Sequence, residues 1–331
     1  MRTKTIISLL LILFVSCNDK RQNFDKAIIP LSPVNFSKVN SVFDDYNSDL
    51  SVSWSDKFFS LLFSTNRNSA GNDFDFILYD CMVYGDLVTG EFEISADWQS
   101  NSLIDSINSP NNELGPYFTY DVKSEEYQNS RSDTKRFFYT TDINGNNDIY
   151  YCYYTADDND MLPVGDPAEL TGINSVYDEG YLTIHPDEIA NRETIYFTSN
   201  RDNTFDIYRA VSDVNKLIDQ SPGLTVNKVQ QLSSTADDKC PYIRNNMMVF
   251  TSDRTGGYGG FDLWYSIFNG QEWSEPVNFG EKINTQYNEY RPIIIPTDKD
   301  GFLNDLMIFS SDRPGGKGRF DLYYVGMIRR N

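Results

Sequence analysis

Five carboxylates in this 331-residue chain stand at one repeated spacing. Asp45, Glu113, Glu179, Asp238 and Glu289 each follow an apolar residue by six positions, in the segments VNSVFDD, INSPNNE, INSVYDE, LSSTADD and INTQYNE. Carboxylate pairs cleave glycosidic bonds, one group protonating the leaving oxygen while the other acts on the anomeric carbon or on water. Recurrence in register argues the other way, because a tuned acid and base need different surroundings, and residues present in every repeat suit a framework. Other chemistries find little support. The chain has one histidine, His185, no Gly-x-Ser-x-Gly segment and no His/Cys cluster, which excludes familiar nucleophilic and zinc sites. In DINGNND, Asp142, Asn144, Asn146 and Asp148 alternate like calcium ligands, but the glycine is fourth and Tyr153 stands where a twelfth-position glutamate belongs. No metal or cofactor is expected.

A second repeat supplies the elements that must hold these acids. MIFSSDRPGGKGRFDLYYV (Met307 to Val325) has a near twin in MVFTSDRTGGYGGFDLWYS (Met248 to Ser266), and weaker copies start at Leu61, Phe137 and Ile195. Each copy reads as a strand ending in Ser-Asp/Asn-Arg, a glycine-rich turn, and a strand opening on Phe-Asp. Gly256, Gly257, Gly259 and Gly260, like Gly315, Gly316 and Gly318, are read as supplying positive φ in that turn. A phosphate loop would precede a helix, whereas here a strand follows. The aspartates Asp75, Asp148, Asp206, Asp262 and Asp321 are read as accepting backbone N–H groups across the turn.

Aromatics make up 15% of the chain, and runs rich in them and in β-branched residues favour strands throughout. With a strand after each acid, a hairpin and an outer strand, each unit forms a four-stranded antiparallel blade, and five units make an all-β, five-bladed β-propeller. The last unit lacks an outer strand. PVNFSKVNSVFDDY (Pro33 to Tyr46) matches PVNFGEKINTQYNEY (Pro276 to Tyr290), so Val34 to Phe36 is expected to pair with Phe320 to Val325 and close the ring.

Within a blade, antiparallel pairing brings the arginine after the second strand to the end that carries the acid. Arg67, Arg201, Arg254 and Arg313 are thus expected to pair with Asp45, Glu179, Asp238 and Glu289. Blade two has Ile143 in place of the arginine, which leaves Glu113 unpaired. Binding candidates are the five acids at the channel mouth together with Trp54, Trp98 and Trp273, although blade packing is the alternative role for each tryptophan.

At the N-terminus, Arg2 and Lys4 precede the apolar run Ile6 to Val15, which is too short to span a bilayer. Phe14-Val15-Ser16-Cys17 resembles a bacterial lipobox, with Phe14 where leucine is usual, and implies a signal peptide over 1–16 and lipid attachment at Cys17. A tether over 17–32 and a single propeller over 33–331 follow. Cys81, Cys152 and Cys240 read as buried free thiols. A net charge of -20 disfavours nucleic acid.

The segments FTSDRTGGYGGFDLWY and FSSDRPGGKGRFDLYY resemble the TolB-like, WD-like propeller repeats of Bacteroidetes-type envelope lipoproteins, over about residues 33–331. That resemblance implies a lipid-anchored module on the outer membrane, facing periplasm or exterior, that binds a protein or a glycan without catalysis. The runner-up is a five-bladed glycoside hydrolase using carboxylates near the channel mouth.

Overall fold

The computed structural model describes residues 26–50, 58–119, 134–156, 160–187, 189–295, 297 and 301–328. Four blades follow the chain in order. Blade one comprises β2 (Asp45–Leu50), β3 (Phe58–Thr65), β4 (Asp75–Gly85) and β5 (Phe92–Gln99), after β1 (Val34–Asn35). Blade two comprises β6 (Glu113–Phe118), β7 (Lys135–Thr141), β8 (Asp148–Ala156) and β9 (Met161–Glu169). Blade three has β10 (Glu179–Asp187), β11 (Arg192–Ser199), β12 (Asp206–Asp213) and β13 (Asn227–Lys228), and blade four has β14 (Asp238–Arg244), β15 (Met247–Ser252), β16 (Asp262–Ile267) and β17 (Val277–Asn278). In the fifth, β18 (Glu289–Ile295), β19 (Asp305–Ser311) and β20 (Asp321–Met327) are completed by β1.

The protein is therefore a five-bladed propeller of four-stranded antiparallel blades, closed by its N-terminal strand. Val34 pairs with Tyr324 and Asn35 with Tyr323, while the Phe36 N–H donates to the Leu322 carbonyl at 2.8 Å. Asn40 reinforces the seam, its side chain accepting from Leu322 N–H and donating to Leu322 O. The segment expected to be a tether is engaged sooner than anticipated: Ala27 and Ile29 are buried, and the Ala27 N–H donates to the Gly301 carbonyl. A truncation through Asn40 is expected to abolish the cooperative thermal transition, because an open ring leaves β20 unpaired and exposes the core beneath it. Calorimetry of the truncated chain checks this.

The inner strands begin on the ring carboxylates themselves, whereas the sequence placed each strand after its acid. Each then breaks register two residues on, at a left-handed residue: Asn47, Gly115, Tyr181, Cys240 and Arg291 have φ between +47° and +58°. Four of these are not glycine, so the conformation costs on the order of 1–2 kcal/mol each and must be held from outside. The holder is a hydroxyl on the preceding blade. Ser310, Thr140, Thr198 and Thr251 accept from the N–H groups of Asn47, Tyr181, Cys240 and Arg291 at 2.9–3.2 Å.

The glycine turns divide their work differently from the expectation. Gly256 and Gly315 take positive φ, whereas Gly257 and Gly316 leave room for the carboxylates of Asp262 and Asp321, which a Cβ would strike. Asp262 and Asp321 do accept backbone N–H groups across the turn, from Tyr258 and Lys317. Asp148 and Asp206 bind side chains instead: Asn144 and Asn146, and Thr204 and Lys228.

Candidate active site

Both repeats converge on one end of the propeller. Arg67 meets Asp45 at 2.6 Å, Arg201 meets Glu179 at 3.0 Å, Arg254 meets Asp238 at 2.5 Å and Arg313 meets Glu289 at 2.9 Å. Every one of these arginines also donates to the carbonyl of the apolar residue six positions before its acid: Val39, Ile173, Leu232 and Ile283. The hydroxyl or amide four residues before the acid caps the same carboxylate, as with Ser175 on Glu179 and Thr285 on Glu289. The apolar–polar–hydroxyl–acid spacing is thus a closed loop tied by one carboxylate and one guanidinium.

These acids are fully buried and their arginines 12–20% exposed. Removing a partner therefore strands a desolvated charge. Arg254→Met is expected to cost about 3–5 kcal/mol in urea unfolding. Lys216→Ala, which breaks the solvent-exposed pair with Asp219, should cost less than about 1 kcal/mol.

Sequence reasoning missed a second ring, because its residues alternate between Asp and Asn. Asp44, Asn112, Asp178, Asp237 and Asn288, each just before a ring acid, accept from a backbone N–H of the preceding blade. Their own N–H groups donate to Asn66, Asp142, Asn200, Asp253 and Asp312. Asp142 belongs to this ring, both of its oxygens held by Asn112, while Asn144 and Asn146 turn their NH₂ groups toward Asp148. Those amide donors oppose the calcium-loop arrangement. Among the described residues no three metal-ligating side chains come together.

Blade two departs from the pattern. Glu113 is as buried as its counterparts, yet its side-chain partners are the N–H and hydroxyl of Ser109, and Ile143 lies half exposed where the arginine would stand. Burial pushes the Glu113 carboxyl up to about 8; the Ser109 bonds oppose the shift and the charges of Asp75 and Asp142 add to it. Burial also raises Asp238 and Glu289, with Arg254 and Arg313 among the groups pulling each back down. Ser64, whose hydroxyl corresponds to those holding the other left-handed residues, has no hydrogen-bond partner beside Gly115. A cavity of about 160 Å³ opens at this mouth, lined by Leu114 and Thr140 of blade two and by Glu179, Tyr181, Lys239 and Tyr290. Tyr181 packs edge-on against Tyr290 and stands beneath the guanidinium of the fully buried Arg291.

The tryptophans do not gather at the mouth. Trp273 is buried, its indole N–H donating to the Tyr196 hydroxyl at 3.2 Å, and Trp98 is 59% exposed on the outer strand β5. Cys17 and Trp54 lie outside the described residues. Cys81, Cys152 and Cys240 are buried free thiols, and burial pushes Cys152 and Cys240 up to about 12, which removes them as nucleophiles.

Solved structures share this architecture. The catalytic domain of the Coprinopsis cinerea GH62 alpha-L-arabinofuranosidase matches with a TM-score of 0.53 at 12% identity, over 92% of this chain and 98% of its own. The Phanerochaete chrysosporium exo-beta-1,3-galactanase, crystallised with beta-1,3-galactotriose, matches with a TM-score of 0.54 at 13% identity, over 91% of this chain and 67% of its own. A thermostable family-43 glycoside hydrolase gives 0.52 at 9% identity, over 88% and 91%. The likeness is one of fold. No protein-family model and no curated protein matches the sequence. The expectation of a non-catalytic protein- or glycan-binding scaffold, and with it the exclusion of an enzyme, is overturned: these three solved structures with the same propeller are glycoside hydrolases, so the fold gives no ground for excluding catalysis. The TolB-like resemblance keeps its propeller.

Proposed function

We propose that this chain is a glycoside hydrolase whose site lies at the channel mouth beside blade two, with Glu113 as the general acid. The observation that carries the reading is the broken symmetry at Glu113, where the ring arginine is missing and burial holds the carboxyl protonated near neutral pH. A glycosidase acid needs that state, and the other four ring acids are committed to arginines. Asp75, on the adjoining blade, has the larger effect of the two charges acting on Glu113 and is itself raised by burial, with the Asn68 side chain opposing and the Asp73 charge adding. With Glu113 holding the proton, Asp75 is the proposed charged partner and serves as base or nucleophile. The beta-1,3-galactotriose bound in a fold neighbour makes a short neutral oligosaccharide the first substrate to try.

A panel of aryl glycosides and oligosaccharides tests the reading. Turnover should be lost in Glu113→Gln and in Asp75→Asn and kept in Ser106→Ala, a surface control on α1 (Ser102–Ile107). An inactive wild-type protein across the panel would remove it.

The proposal extends to location. Export by residues 1–16 and lipid attachment at Cys17 would set the enzyme on the outer membrane, as the lipobox and the TolB-like lipoprotein resemblance imply. Cys17→Ala should move the protein from the membrane to the soluble fraction; retention in the membrane would contradict this.

A further inference from the structure

The opposite mouth of the channel holds a second, larger cavity that the proposed chemistry does not use. Its volume is about 300 Å³, within the range of small-ligand pockets, and it lies at the far ends of the inner strands of blades two, three and four. Five residues separate Glu179 from Ile184 along β10, which at about 3.3 Å per residue puts this cavity some 17 Å from the ring carboxylates.

Its lining is unusual for so acidic a protein. Among the described lining residues, Arg136, Arg244 and His185 face the space with Glu193 as the one carboxylate. Glu193 is already occupied: Arg136 holds both its oxygens at 3.0 and 3.1 Å, with the Ser212 hydroxyl and the Leu217 N–H on the same group. The Asn215 side chain accepts from Arg136 as well, so this guanidinium is fixed as a rigid floor. Arg244 closes β14 at the rim, and Ile184 and Ile243 offer apolar walls. His185 packs edge-on against Phe268, and burial holds its imidazole below the usual value, with the Asn245 backbone and Asp187 opposing.

We infer that this cavity binds a monosaccharide-sized ligand bearing a carboxylate, a uronic acid, with the Arg244 guanidinium receiving the carboxylate and the isoleucine walls receiving the sugar ring. A guanidinium fork matches a planar carboxylate, and a concave site concentrates its field while the acidic surface elsewhere repels anions. The site is separate from the proposed hydrolytic one, so either can fail alone.

Titration of the purified mature protein with D-glucuronate, followed by calorimetry, tests the inference, with D-glucose as the ligand lacking the carboxylate. Because His185 is the only histidine in the sequence, its imidazole C–H signal in untagged protein reports occupancy without assignment. Saturable heat and a shift of that signal with glucuronate alone are expected. Arg244→Gln should weaken binding about tenfold or more. His185→Gln, which leaves the floor intact, provides a second variant and should weaken it measurably. Glu113→Gln should bind glucuronate as the wild type does. No saturable response, an equal response to glucose, or undiminished affinity in a folded Arg244→Gln or His185→Gln protein would overturn the inference.

Discussion

Arg291→Met lowers the thermal midpoint by about 10 °C, the largest loss expected of any single substitution in the channel. Arg291 comes from blade five, and its guanidinium donates to the Pro116 carbonyl of blade two at 3.0 Å and the Pro241 carbonyl of blade four at 3.3 Å. It lies over the Tyr181 ring of blade three, and its charge acts on the Asp49 carboxyl of blade one. One side chain therefore ties all the other blades at the axis. Burial pushes Asp49 up to about 7, with Arg291 and the Phe118 N–H pulling against it. Removing the guanidinium unmakes two buried hydrogen bonds from a charged donor and withdraws a favourable charge from that carboxyl, a change of about 3–5 kcal/mol. For a chain of this size each kcal/mol moves the midpoint roughly 2–4 °C.

The pH dependence fixes the sign. Asp49 has its folded pKa raised above the unfolded value, so the folded state holds a proton that the unfolded state has released, and stability falls as pH rises from about 4 toward 7. Without Arg291 the folded-state pKa rises further and the fall continues to higher pH, so the deficit of Arg291→Met should be larger at pH 8 than at pH 5. Asp49→Asn in the same background should recover part of it. A variant within 2 °C of wild type at both pH values, about the shift that 1 kcal/mol produces, would show that the axis is held otherwise.

Under the proposed assignment, Glu113→Gln reduces glycoside hydrolysis by about 10²–10⁴-fold, the usual range for a lost general acid. The wild-type rate should fall as pH rises through about 8, where Glu113 gives up its proton. Stability separates this loss from misfolding. Glu113 is also raised in the folded state, so its contribution declines from the unfolded value of about 4.5 up to about 8, and glutamine removes that decline. An inactive Glu113→Gln protein should therefore be no less stable than wild type at pH 8. Inactivity accompanied by a lower midpoint at pH 8 would instead mark Glu113 as framework like the other four.

The blade count and ring closure were legible because the residues that build them do one backbone-specific job in every copy. The acid six positions after an apolar residue and the aspartate opening the third strand survive as letters in all five copies, and the arginine after the second strand in four. The inner-strand bulge was not legible. Its left-handed position carries Asn, Gly, Tyr, Cys and Arg in turn, and the restraint sits in a hydroxyl on the preceding blade, which no local window contains. Arg291 accordingly read as an ordinary strand residue in RPIII, and its role as the axial tie needs three other blades in place. Glu113 stood out in the sequence through Ile143, but the burial that raises its carboxyl is a tertiary property. The mouth cavity, the opposite Arg244 cavity and the burial of Trp273 are tertiary too.

Release of reducing ends from a panel of short oligosaccharides, measured side by side for wild-type protein and a Glu113→Gln protein of matched thermal midpoint, bears most directly on the central claim. Linear release by the wild type and none above background by Glu113→Gln is the predicted result. No release by either protein, or equal release by both, would contradict the assignment of Glu113 as the acid of a glycoside hydrolase.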